Sequence, residues 1–159
     1  MKTQSITPYY EADHDRLDEL FRNFQLSKRS DLSRAKDFFR QFKMGLERHI
    51  VWEEQILFPL FEEKTGMKGT GPTEVMRKEH REIRALLESI HQRVKARDPE
   101  GDAEEKALLE ILGAHNQKEE QILYPAIDRL LSDEERKEVF HRMEGITGEE
   151  LGVCCSGAE

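Results

Sequence analysis

Apolar residues recur at three- and four-residue spacing along almost the whole chain, the signature of amphipathic helices. Leu17, Leu20, Phe21 and Phe24 stripe a first helix that ends near Leu26. Thr7 is placed to cap it, with Pro8 at the first helical position, where a missing N–H costs nothing. Ser30 or Asp31 opens a second helix reaching about Lys64, with Phe38, Phe39, Phe42, Leu46, Ile50, Ile56, Leu57, Leu60 and Phe61 along it. Pro59 falls inside that pattern and predicts a bend or an end to the regular helix. Thr70-Gly71-Pro72 starts a third helix carrying Val75, Met76, Ile83, Leu86, Leu87, Ile90 and Val94, and Asp98-Pro99-Glu100-Gly101 breaks it. A fourth runs from about Ala103 to Leu130, again with a proline, Pro125, near its end. Ser132-Asp133-Glu134-Glu135 reads as a capping box that opens a short fifth helix to about Met143. Four long helices joined by short loops predict an all-α, up-down-up-down four-helix bundle with a short fifth C-terminal helix. Residues 1–144 are expected to form one domain and 145–159 a flexible tail.

Composition narrows the function classes. No run approaches the length of a membrane span, and the N-terminal residues lack an apolar signal core, so a cytoplasmic protein is expected. The net charge of −8 opposes binding to a phosphate backbone, and no basic cluster offsets it. The two cysteines, Cys154 and Cys155, are adjacent and near the end, where they cannot staple distant parts of the fold.

An internal repeat carries the chemistry. The block from His49 through Glu53 to Pro59 recurs as His115 through Glu119 to Pro125, and His14 and His80 keep the same 66-residue offset. Residues four apart share a helix face, so each block points an imidazole and a carboxylate at one volume. Two such helices and two single-histidine helices can surround one site. Imidazole and carboxylate are ligand types for iron, manganese and zinc. Glu53 and Glu119 can bridge two ions, with His14 and His49 serving one and His80 and His115 the other. Leu108, Leu112, Ile122 and Ala126 are expected to flank the second block as core. Glu54 and Glu120 are expected to reach solvent or a neighbouring helix end, and His91 and His141 to be surface or boundary residues. Asp18 is placed either to orient His14 or to form a surface ion pair, and Tyr10 either to line the pocket or simply to pack.

At these residues the chain resembles the hemerythrin family in its bacterial form, the HHE cation-binding domain, over approximately residues 8 to 130. The resemblance implies a non-haem centre of two iron ions, oxo- or hydroxo-bridged when oxidised, with zinc or manganese as substitutes. By position it implies His14, His49, Glu53, His80, His115 and Glu119 as ligands. Oxygen-carrying members are expected to have a further histidine one turn before the third-helix ligand, where this chain has Met76. That departure weakens reversible oxygen carriage, and water, Glu79 or another carboxylate is left to fill the position. The ligand count instead resembles di-iron proteins of nitric oxide stress and iron–sulfur cluster repair, although the resemblance does not extend to their cysteine-bearing N-terminal domain. Ferritin relatives use Glu-x-x-His, the reverse order at closer spacing.

The leading expectation is a protein that binds or senses O₂ or another small oxidant or diatomic ligand. The alternative is a di-iron enzyme handling nitric oxide or peroxide, or a protein supplying iron for iron–sulfur cluster repair. Neither membrane nor nucleic acid is an expected partner, and a monomer or simple homodimer is the expected state.

Overall fold

A computed structural model describes residues 4–146. Cys154, Cys155 and all but the first two residues of the expected tail lie outside the described residues. The elements are α1 (Ile6–Ser27), α2 (Leu32–Trp52), a π-helical turn π1 (Glu53–Leu57), α3 (Phe58–Thr65), α4 (Pro72–Lys95), α5 (Asp102–Lys118), a second π turn π2 (Glu119–Leu123), α6 (Tyr124–Leu130) and α7 (Asp133–Glu144). Segments α2–π1–α3 and α5–π2–α6 each follow one another without a break, so the bundle has four long rods and a short fifth helix, as the pattern predicts.

The prolines do not end or break these rods. The amide of Phe58 donates to the carbonyl of Glu53, and that of Tyr124 to Glu119, each a five-residue step. The next residue is proline in both cases and has no N–H to continue the ladder. Helical spacing would offer Pro59 the carbonyls of Glu54 or Gln55. Those carbonyls instead accept from the Arg77 and Arg142 guanidiniums, each at 3.4 Å. The helix thus absorbs its proline by widening one turn, and the widened turn begins at the ligand-type glutamate.

The helix ends are tied across the fold. Ser5, not Thr7, is the N-cap of α1. Thr7 is already helical, and the first amides are held by a carboxylate from α6. Asp128 accepts from the amides of Ile6 and Thr7 at 2.8 and 2.9 Å, and from the Thr7 hydroxyl at 2.7 Å. At the other end of α1 the buried Lys28 ammonium sits 2.5 Å from Asp102 and 2.7 Å from Glu105. The Ser132 capping box of α7 is formed in both directions.

Two apolar clusters fill the bundle. One gathers Leu17, Phe21, Phe39, Phe42, Ile83, Leu87 and Leu108 with their neighbours. The other gathers Ile6, Tyr10, Trp52, Phe58, Met76, Tyr124 and Ile127, and is closed by Val139 and Met143 of α7. Every long rod passes from one cluster to the other, in alternating direction, and its repeat histidine lies at or beside the crossing. The polar layer is therefore walled by apolar side chains above and below. One expected core position fails. Ile122 is 62% exposed, whereas its repeat partner Ile56 is 2% exposed. Among the described residues α7 packs against π1 and helps to bury Ile56, and no second short helix lies over π2 in the same way.

Candidate metal centre

All six side chains singled out by the repeat meet in this layer, and all are buried. His14 comes from α1, His49 from α2, Glu53 from π1, His80 from α4, His115 from α5 and Glu119 from π2. Donor atoms of Glu53, His80, His115 and Glu119 lie within 4.8 Å of one another, as do those of His14, His49 and Glu119. Each glutamate reaches one histidine of each pair. Glu53 Oε1 is 3.7 Å from His49 Nε2 and 3.2 Å from His80 Nε2. Glu119 Oε1 is 3.4 Å from His14 Nε2 and 3.2 Å from His115 Nε2.

The outer nitrogen of every imidazole is held by a carboxylate. His14 Nδ1 lies 3.2 Å from Glu120, His49 Nδ1 2.8 Å from Asp13, His80 Nδ1 2.7 Å from Glu54 and His115 Nδ1 2.9 Å from Glu79. Such partners fix the ring and its tautomer so that Nε2 faces inward as a donor. These contacts decide between alternatives that the sequence left open. Glu54 and Glu120 point back at imidazoles because the first residues of the π turns are consecutive glutamates, one turned inward and the other toward the adjacent helix. Glu79 is held by His115 and Lys118, which leaves it no part at the position beside Met76. His14 is held by Glu120, while Asp18 lies near enough only for a charge interaction. The Tyr10 hydroxyl donates to the Met143 sulfur at 3.3 Å, which makes it a packing residue. His91 and His141 lie away from the cluster, His91 against Glu88 and Phe39.

A residue that sequence reasoning missed is Tyr124. Its hydroxyl donates to Glu53 Oε2 at 2.7 Å and lies 3.1 Å from His49 Nε2 and 3.4 Å from His14 Nε2. The repeat places Phe58 at the matching position, stacked on His80 with ring centroids 5.8 Å apart. The signal was present, since Tyr for Phe is the only change within the shared run that ends at each proline. The outer carboxylates were legible in the same way, because Asp13 and Glu79, and Glu54 and Glu120, also keep the 66-residue offset.

The electrostatics suit a cation. Burial alone would lower the His14 and His80 pKa values, but Glu119 for the first and Glu53 with Glu54 for the second push them up to about 9. Burial and the neighbouring Glu119 charge raise Glu53, while His115 and its neighbours overcome burial and hold Glu119 well below the usual range. Burial also keeps the Tyr124 phenol neutral, with the Glu119 charge adding to the effect. Both oxygens of Glu119, Oε1 of Glu53 and Nε2 of His80 are buried with no hydrogen-bond partner of proper geometry among the described residues. Unsatisfied buried groups of this kind are rare, and a buried carboxylate without compensation costs on the order of several kcal/mol. Imidazole and carboxylate donors together fit a pair of iron ions or related first-row metals. The centre is a His/Glu cluster consistent with a di-iron or related metal site.

The family model described as the Hemerythrin HHE cation binding domain matches residues 5–127. An uncharacterized hemerythrin-like protein of Schizosaccharomyces pombe is 32% identical over 77% of this chain and 59% of its own length. A DNA nickase of Nostoc is 29% identical over 84% of this chain and 36% of its own. The iron–sulfur cluster repair protein YtfE of Edwardsiella ictaluri is 34% identical over 54% of this chain and 41% of its own. The chain thus spans between about a third and three fifths of the length of these relatives. No solved structure gave a significant match. With the matched segment covering all four long rods up to Ile127, the chain belongs to the hemerythrin HHE cation-binding domain family.

Proposed function

We propose that this protein holds two iron ions between His14, His49, Glu53, His80, His115 and Glu119, and uses them in the repair of iron–sulfur clusters damaged by nitric oxide or peroxide. The observation that carries the reading is the buried layer in which two histidine pairs share two glutamates whose oxygens lack other partners. Relatives named for cluster repair favour this role over simple binding or sensing of O₂. The acidic chain, with a net charge of −8, gives no support to a role on DNA like that in the nickase relative's name.

When bound, the iron pair supplies redox capacity and open coordination for a small ligand. The chain supplies the rest. Asp13, Glu54, Glu79 and Glu120 aim four imidazoles inward, and Glu53 and Glu119 offer oxygens to both histidine pairs. The Tyr124 hydroxyl holds a proton at Glu53 Oε2 on the His14–His49 side. Phe58 and Met76 add apolar wall to the cluster that bounds the layer and excludes water from it. Met76 is buried one turn before His80 and brings no hard donor, which fits a position left for an exogenous ligand.

The test is to mix the iron-loaded protein with an iron–sulfur enzyme inactivated by peroxide or nitric oxide and follow recovered activity. The loaded protein is expected to restore activity faster than an equal amount of free ferrous iron, and Glu119→Ala to lose that advantage. Recovery no faster than with free iron contradicts the repair role.

A further inference from the structure

We propose that a pocket on the outer side of α1 and α2, beside but separate from the metal layer, binds a small carboxylate. The pocket has a volume of about 350 Å³ and is lined by Tyr9, Ala12, Asp13, Arg16, Arg48 and Trp52. Two guanidiniums and one carboxylate leave it with a net positive charge on a chain whose balance is −8. Arg16 is engaged with Asp13, its Nε and terminal nitrogen lying 3.1 and 2.9 Å from Asp13 Oδ1. Arg48 lies over the Trp52 ring at 4.9 Å. Among the described residues neither the Arg48 Nε nor the Trp52 indole nitrogen has a hydrogen-bond partner, and both atoms are buried.

Among the described residues the Arg48 guanidinium makes no hydrogen bond or ion pair, only its contact with the Trp52 ring, so an acceptor ligand in the concavity that it lines gives it the partner it lacks. A guanidinium presents parallel N–H groups that match the two oxygens of a carboxylate. The Trp52 indole can only donate, and so adds preference for an acceptor. Tyr9 and Trp52, with ring centroids 6.1 Å apart, provide an apolar surface for a short carbon stem. The ligand class is therefore a small organic carboxylate, in preference to a bare inorganic anion. The pocket also abuts the metal layer, because Asp13 Oδ2 lies 2.8 Å from His49 Nδ1 while Asp13 Oδ1 holds Arg16, and the Trp52 ring lies 6.1 Å from that of His49.

Trp52 is the only tryptophan, so its fluorescence reports on the pocket directly. The full-length protein is titrated with acetate and succinate, with sodium chloride at matched ionic strength and with inorganic phosphate as comparisons. The expected result is a saturable change with the carboxylates that chloride does not reproduce. Arg48→Gln should weaken it roughly tenfold or more, the order set by one charge-assisted hydrogen-bonded pair, with helicity and melting unchanged. If Arg48→Gln fails to fold, Arg48→Lys, which keeps the charge but not the paired N–H groups, replaces it with the same expectation. An unsaturable response, an equal response to chloride, or an unchanged midpoint in the folded variant overturns the site. Tighter binding of phosphate than of either carboxylate overturns the assignment of its ligand.

Discussion

His14 and His80 hold their protons far more tightly than free imidazole because each faces a buried glutamate, and this sets how the metal-free protein responds to pH. A group whose pKa is raised on folding stabilises the fold fully below its unfolded value and loses that contribution as pH rises through the folded one. The metal-free protein should therefore melt at progressively lower temperature between about pH 6.5 and about pH 9. Glu53, raised by burial and by Glu119, acts with the same sign. Bound metal takes the inward imidazole nitrogens in place of protons, so the loaded protein should escape this loss and bind metal more tightly as pH rises through the window. Melting curves with and without metal across this range check the point, and a flat metal-free profile contradicts the assignment of these contacts. At this scale the sequence was most informative, since the repeat located all six inward residues. It was less decisive one position away. Glu54 and Glu120 were left between solvent and a neighbouring helix end because a regular helix turns the next residue about 100° off the face, and which adjacent residue meets them cannot be seen from local spacing.

The long rods owe their shape to two features that pull in opposite directions, close approach and local widening. Gly45 in α2 lies where an added Cβ would sit 2.7 Å from the Leu17 Cδ2 and 2.9 Å from an Arg16 nitrogen. Arg16 can swing into solvent, but Leu17 is fixed in the core between α1 and α2. Gly45→Ala should destabilise the protein by about 1–3 kcal/mol, the usual cost of overpacking. Gly113 in α5 has nothing within 4 Å of the same atom. Gly113→Ala should instead stabilise by about 0.5–1 kcal/mol through helix propensity alone. Denaturant unfolding of the two variants measures both: no destabilisation by Gly45→Ala contradicts the close approach of α1 and α2, and destabilisation by Gly113→Ala contradicts the open space beside α5. The widened turns were only half legible. Pro59 and Pro125 announce a disturbance, but whether a helix kinks, stops or takes in an extra residue depends on which groups donate to the freed carbonyls. Here Arg77 and Arg142 do so at the first turn, and they lie 18 and 83 residues further along the chain than Pro59.

At the scale of the whole molecule, two related hairpins enclose one polar layer between two apolar clusters. The bundle and its direction alternation follow from the repeat and the short loops, so this level was legible. The asymmetry between the halves was less so. The capping box announces α7, but nothing in its own sequence says that it covers Ile56 and leaves Ile122 bare. The same asymmetry separates the two ends of the centre, with the Tyr124 hydroxyl on one side and the Phe58 ring on the other. What unites the halves is the set of buried glutamate oxygens that have no hydrogen-bond partner among the described residues, and the central claim is that metal ions satisfy them. It is tested most directly by elemental analysis of the protein purified without added metal or chelator, alongside Glu119→Ala. The account predicts about two iron ions per folded chain, the number that six shared imidazole and carboxylate donors suit, and a clear loss in the variant. A fully folded wild-type chain carrying no iron, manganese or zinc would contradict it.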